Sequence, residues 1–253
     1  MMRIILSPAK TMRIEEVISA ETVPVFLDQA EEIVSALKEL TPGERRKVWN
    51  CSERLAAENE IRLACMNLRG AVYPALYSYS GLAFSHLSPE SLEDSQLACL
   101  QDRLRILSGL YGILKPLDGI VPYRLEMAAR LPVSGKKNLY DCWGDRLYEE
   151  LYRGTDTVIN LASSEYSSAV TPWLRDPSRM IHIVFAEKSG SSLKTKGTFA
   201  KMARGEMTRW LAETQADDPQ MIKTYDRGYR YEPSASDEIH WVFVRTTGKE
   251  SNI

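Results

Sequence analysis

Paired cysteines, clustered histidines, long apolar runs and an excess of either charge are all missing from this 253-residue sequence. Each gap removes a class of function. Cys51, Cys65, Cys99 and Cys142 form no Cys-x-x-Cys pair, which leaves no basis for a zinc ribbon or a thioredoxin-like centre. They read as free, mostly buried thiols of a reducing compartment. His86, His182 and His240 stand far apart, so no metal site is expected from them, and nothing calls for a cofactor. No apolar run approaches the ~18 residues of a membrane-spanning helix. The opening Met1-Met2-Arg3-Ile4-Ile5-Leu6 stops at Ser7-Pro8, too short for the apolar core of a secretion signal. The expectation is a cytoplasmic protein.

The formal net charge is −2, which argues against a protein that coats nucleic acid indiscriminately. Any anion binding must come from a local patch. One is visible between Phe185 and Leu211, where Lys188, Lys194, Lys196, Lys201, Arg204 and Arg209 stand against only Glu187 and Glu206.

Arg3–Leu6 reads as a buried strand ended by Pro8. Phe26, Ala30, Ile33, Val34, Leu37 and Leu40 repeat at helical spacing, and Thr41-Pro42-Gly43 closes that helix. One further helix is predicted over 42–66. Ser88-Pro89-Glu90 has the form of a helix start with Ser88 as N-cap. Trp143, Leu147 and Leu151 make a core-facing stripe within 138–153, ended by Gly154. Val158–Ala162, Met180–Ala186 and Trp241–Arg245 read as strands. Helices and strands interleave without a clean βαβ rhythm, and no Gly-x-Gly-x-x-Gly follows the first strand. The fold class is mixed α/β (α+β), one compact domain over 1–253, with no internal repeat or low-complexity linker.

Several stretches carry possible chemistry. At 100° per residue, Phe199, Ala203, Met207 and Trp210 share one arc of a helix, and Lys201, Arg204 and Thr208 the other. Gly205 beside them leaves bare backbone for the approach of a partner. That face is either a phosphate grip or an ordinary solvated surface. Lys10, in the loop after the first strand, is an anion contact, a nucleophile or an ion-pair member. In Leu107-Ser108-Gly109-Leu110-Tyr111-Gly112, Gly109 and Gly112 allow either a backbone anion nest or close packing, with Arg105 and Lys115 alongside. Arg124 and Glu126 would share a face in a strand, where Arg124 could clamp a phosphate and Glu126 orient it or act as a base.

Several of these stretches together resemble the YaaA family. They are Ser7-Pro8-Ala9-Lys10-Thr11-Met12, Leu107–Gly112 with Pro122-Tyr123-Arg124-Leu125-Glu126-Met127, Leu139-Tyr140-Asp141-x-Trp143-Gly144-Asp145, Asn160-Leu161-Ala162-Ser163-x-Glu165-Tyr166, and Lys201-x-Ala203-Arg204-Gly205-x-Met207. Gly228-Tyr229-x-Tyr231, Ser236 and Val242-Phe243-x-Arg245 complete the series. The resemblance spans nearly the whole chain in order. It implies a peroxide-stress protein of uncommon topology, with a helix-hairpin-helix-like element and a positively charged cleft. It further implies binding of duplex or branched DNA through phosphates, and protection against oxidative damage through control of free iron. The residues expected to hold DNA are Lys10, Arg105, Gly109, Gly112, Lys115, Arg124, Lys201, Arg204, Gly205 and Arg209. No catalytic activity comes with the resemblance. The residues also allow an enzyme acting on a nucleotide or small phosphorylated molecule around Lys10, Arg124 and Glu126. Ala71, Ser168 and Met202 depart from the family pattern. The last two remove positive charge, which predicts a weaker phosphate grip.

Overall fold

A computed structural model describes residues 2–14, 18–190 and 192–246. In chain order the strands are β1 (Met2–Leu6), β2 (Thr11–Met12), β3 (Tyr73–Pro74), β4 (Tyr79–Ser80), β5 (Leu104–Ser108), β6 (Gly112–Leu114), β7 (Gly119–Ile120), β8 (Thr157–Asn160), β9 (Met180–Ser189), β10 (Ser192–Lys194), β11 (Tyr229–Tyr231) and β12 (His240–Arg245). The helices are α1 (Leu27–Glu39), α2 (Pro42–Trp49), α3 (Glu53–Ala64), α4 (Ala75–Ser78), α5 (Leu82–Leu87), α6 (Asp94–Arg103), α7 (Leu139–Trp143), α8 (Arg146–Leu151), α9 (Ser164–Ser167) and α10 (Gly197–Thr214).

The main sheet has the order β11-β12-β9-β8-β1-β5-β6, with β10 paired to β9. Its five middle strands, from β12 to β5, are mutually parallel, and β6, β10 and β11 add antiparallel edges. Ile4, Ile5 and Leu6 on β1 are all sealed from solvent. A strand covered on both faces has no polar side to show, hence its unbroken apolar run. From β1 the chain winds out to β5 and returns to β8 on the opposite side of β1. That reversal makes a crevice beyond the carboxyl ends of β1 and β8, where parallel sheets bind ligands. The sequence reading missed this parallel order. The segment from β1 to β5 holds six helices, so no single strand-helix-strand unit announces it.

Several local expectations change. The helix expected over 42–66 is broken at Asn50, whose left-handed φ of 43° ends α2. Thr41 and Glu44 form a capping box at its start, and Ser52 caps α3. The Ser88-Pro89-Glu90 segment makes only a 3-10 turn, with α6 starting at Asp94. Gly144 splits the expected 138–153 helix into α7 and α8, yet Trp143, Leu147 and Leu151 are fully buried as read.

The Leu107–Gly112 element is not a helix-hairpin-helix turn. It is the buried hairpin between β5 and β6. A Cβ on Gly109 would meet the Leu125 carbonyl oxygen at 2.7 Å. Gly112, at φ +70°, has the Trp143 and Leu147 side chains where its Cβ would be. The apolar residues between the glycines drive burial, and burial leaves no amide nest open to a phosphate. A pair of helices joined by a tight turn does exist elsewhere, at α2–Asn50-Cys51-Ser52–α3.

Candidate functional site

The loops after β1 and β8 are stitched together at the crevice. Ser163 N–H donates to Ser7 Oγ at 2.8 Å, the two hydroxyls lie 3.1 Å apart, and Leu161 N–H donates to the Ile5 carbonyl at 2.9 Å. Above them opens a pocket of about 590 Å³. Lys10, Ser7, Ser163, Glu165, Tyr166, Lys201 and Arg204 line it, together with the first turn of α5.

Lys201 and Arg204 come from α10, whose position follows from Gly205. A Cβ there would lie 1.8 Å from the Ala83 carbonyl oxygen. Glycine at 205 thus lets α10 lie directly on the backbone of α5. The bare backbone read as an opening for a partner is occupied by the protein itself. Thr208, expected on an outer face, is fully buried and donates to the Arg204 carbonyl at 2.8 Å. The side of α10 opposite its sheet-facing residues is consequently a second packing surface.

Arg204 is mostly buried, its Nε is sealed from solvent, and it makes no hydrogen bond or ion pair among the described residues. Burial alone holds the guanidinium pKa below its usual value. A guanidinium drawn largely out of water without a protein partner is costly, and functional sites are where such costs persist.

Lys10 is 61% exposed at the mouth and donates to Glu126 Oε2 at 2.7 Å. Glu126 also accepts from Arg124 at 3.2 Å. Arg124 turns away from the pocket, donating to the Trp49 carbonyl at the end of α2 at 3.3 Å. Ala128 N–H donates to Glu165 Oε1 at 3.2 Å, and Tyr140 donates to the Glu165 carbonyl at 2.8 Å. Glu126 and Ala128 line a second hollow of about 600 Å³ with Lys47, Asn50 and Arg130. Through the Lys10–Glu126 and Ala128–Glu165 bonds the two hollows adjoin. Lys47 and Arg130 are exposed and form no ion pair among the described residues. Sequence reasoning missed both, since neither has a pattern that separates it from other surface cations.

The irregular segment 121–128 carries Glu126, so what pins it decides the site. Val121 N–H donates to the Tyr111 hydroxyl at 3.1 Å. Inside, Tyr123 shares its hydroxyl with Tyr79 at 2.7 Å and Ser108 at 2.6 Å. Burial pushes the Tyr123 phenol up to about 12 against the lowering effect of the Ser108 and Tyr79 bonds. Burial likewise raises Tyr166, with Tyr123, Glu165 and Glu126 adding to it. All these phenols stay protonated. Tyr123→Phe leaves two buried hydroxyls short of a partner and is expected to cost about 1–3 kcal/mol in denaturant unfolding. A change within ~0.5 kcal/mol, the usual scatter of a surface substitution, would show the chain contributes nothing to holding the segment.

The remaining expected contacts lie elsewhere. Arg105 is buried on β5 beside Arg3 and donates to the Leu104 carbonyl at 2.8 Å. Burial, reinforced by Arg3, lowers its pKa to about 10. It cannot reach a ligand. Arg209 is committed to Glu213 at 2.7 Å, to the Leu87 and Ser88 carbonyls at 3.1 Å, and to Ser91. It closes the end of α5. Lys115 sits half-buried in the turn after β6, against Asp118, and lines neither hollow. Gly109, Gly112 and Gly205 serve packing. Of the expected set, Lys10, Lys201 and Arg204 converge, with Arg124 joined through Glu126.

Among the described residues, no helix is long and apolar enough to cross a membrane, and no group of three or more His, Cys, Asp or Glu is placed to hold a metal ion. Comparison with known proteins places the chain among close relatives. The family model described as "Peroxide stress protein YaaA" matches residues 2–235. A UPF0246 protein of Lachnoclostridium phytofermentans is 43% identical over 100% of this chain and 98% of its own length. UPF0246 proteins of Limosilactobacillus reuteri and Lactiplantibacillus plantarum are 44% and 45% identical, each over 96% of this chain and 98% and 99% of their own lengths. With the family model and full-length relatives in agreement with the motifs that line the crevice, the chain belongs to the YaaA peroxide-stress family.

Proposed function

We propose that this chain is a cytoplasmic DNA-binding protein that grips phosphates in the cleft formed by the two adjoining hollows. The observation that carries the reading is Arg204, a mostly buried guanidinium without a partner among the described residues, facing the same pocket as Lys10 and Lys201. An anion there satisfies a charge the fold leaves unsatisfied, and a planar guanidinium suits phosphate oxygens. Lys47 and Arg130 extend the positive lining into the second hollow. The ribbon β9–β10, bearing Lys188 and Lys194, leaves the sheet at the same carboxyl end. Contacts of this kind set affinity without reading sequence. Occupying DNA in this way is our reading of how the protein limits oxidative damage. Any effect on free iron is taken to be indirect.

The test is a salt titration of duplex and four-way-junction binding by fluorescence anisotropy. With about five phosphate contacts, affinity is expected to fall about 10²–10³-fold between ~50 and ~200 mM salt. Affinity indifferent to salt, or no binding at ~50 mM, refutes the proposal.

A second reading has its own support. Lys10 and Glu165, just beyond the carboxyl ends of β1 and β8, with Glu126 brought to Lys10 by the 121–128 segment, make an arrangement suited to chemistry on a small phosphorylated substrate. Turnover of nucleotides that disappears in Glu126→Gln, in protein that binds no DNA, would establish it instead.

A further inference from the structure

The pocket at Arg204 is larger and less polar than a phosphate grip requires. A bound phosphate would fill only a small part of about 590 Å³, a volume typical of sites for whole organic ligands. Its walls combine apolar side chains, Leu82, Ala83 and Phe84, with the hydroxyls of Ser7 and Ser163. Such a lining suits a ring and a sugar.

The depth of the cation sharpens this. Arg204 is mostly buried in the pocket wall, whereas Lys10 and Lys201 are exposed. Stacked duplex DNA presents a broad convex surface with its bases turned inward. The α5 and α9 walls of a concave pocket keep such a surface from seating down to Arg204. A nucleotide rotated out of the stack has the right shape, since its phosphate and base leave the helix together. Leu82 adds an independent observation. It is 41% exposed at the first turn of α5, on the pocket rim. An apolar side chain held there is positioned as a wedge for the space that an extruded base vacates.

We propose that the pocket takes up one unstacked nucleotide of the bound strand, its phosphate on Arg204 and Lys201 and its sugar and base against the wall made by Ala83 and Phe84. This rests on the DNA-binding reading and specifies the unit recognised. It also accounts for a family member whose formal net charge is −2, because one phosphate held in a pocket substitutes for a broad positive field.

The experiment uses the full chain with duplexes carrying a single 2-aminopurine, paired or mismatched, and a free nucleoside monophosphate as a separate arm. Protein is added to saturation, judged by anisotropy, at ~50 mM salt. Unstacking is expected to raise 2-aminopurine emission about threefold or more, with the mismatched site responding most because it is easiest to extrude. At equal saturation, Ser164→Trp, which fills the pocket from an exposed position, is expected to remove most of that rise. Leu82→Ala is expected to reduce it. Saturated binding with flat emission on every substrate overturns the proposal while leaving DNA binding intact. Emission that rises equally in Ser164→Trp and Leu82→Ala also overturns it, by locating the unstacking elsewhere. Absence of any anisotropy change overturns both readings together. Tight binding of the free nucleotide in that last case marks the pocket as a small-molecule site.

Discussion

Gly205→Ala is expected to destabilise the protein by about 3 kcal/mol or more, the upper end of overpacking costs. Two effects oppose each other at this position, and their sizes decide the sign. Within a helix, alanine is favoured over glycine by about 0.5–1 kcal/mol. Against that, the new methyl would lie 1.8 Å from the Ala83 carbonyl oxygen and 2.7 Å from its carbon. Both atoms belong to backbone, so no rotamer change relieves the clash, and α5 and α10 must separate. For a chain of this length the loss corresponds to roughly 6–12 °C in Tm. Gly197, at the start of the same helix, has nothing within 4 Å of its would-be Cβ. Gly197→Ala should accordingly be neutral or slightly stabilising. Calorimetry of the pair separates contact from propensity. A Gly205→Ala protein as stable as its parent would mean that the two helices do not meet as described. Because α5 forms a wall of the pocket, the variant should also bind DNA more weakly at temperatures where it remains folded.

What the sequence discloses, and what it hides, follows from the range of the interactions. Features set within one turn or one strand are readable. Pro8 ends β1, Gly154 with φ +76° follows α8, and the Trp143–Leu147–Leu151 spacing marks a buried stripe. The two motifs that proved closest to the pocket, Ser7–Lys10 and Asn160–Tyr166, are readable for the same reason. Each is a polar run placed just beyond an apolar strand. Glycines are harder, because tight packing and ligand approach impose the same requirement. Gly109, Gly112 and Gly205 look alike in sequence whether the atom crowding them is a phosphate or Leu125, Trp143 and Ala83. Cations are harder still. Arg105, Arg124, Arg204 and Arg209 are equivalent on paper. Only the fold shows that Arg209 finds carbonyls at the end of α5, Arg105 those beside it on β5, and Arg204 none. The Lys10–Glu126 pair joins residues 116 positions apart, beyond any local pattern.

Arg204→Met carries the largest expected effect on binding, and it moves stability the other way. At neutral pH the guanidinium is charged in both the folded and unfolded chain. Its lowered pKa is therefore a standing cost of folding, relieved only in strongly alkaline solution where the folded form would release the proton first. Methionine keeps the aliphatic volume and removes the charge, so the ligand-free protein should be unchanged or more stable by about 1 kcal/mol. Binding should suffer because a charge-assisted bond to phosphate contributes about 1.5–3 kcal/mol, which corresponds to roughly a 10–150-fold weaker Kd. The log–log salt slope should shrink by about one contact. Lys201→Ala should do less, since an exposed cation is already screened by salt. Arg105→Met supplies the contrast. It removes another strained guanidinium, but one turned into the core, and should leave both Kd and salt slope as they were. If Arg204→Met and Arg105→Met behave alike in a titration run beside a thermal melt, Arg204 is only a second buried cation and the phosphate site is not in this pocket. If they diverge as expected, the instability at residue 204 has a function: the unpartnered charge is kept because its partner arrives with the ligand.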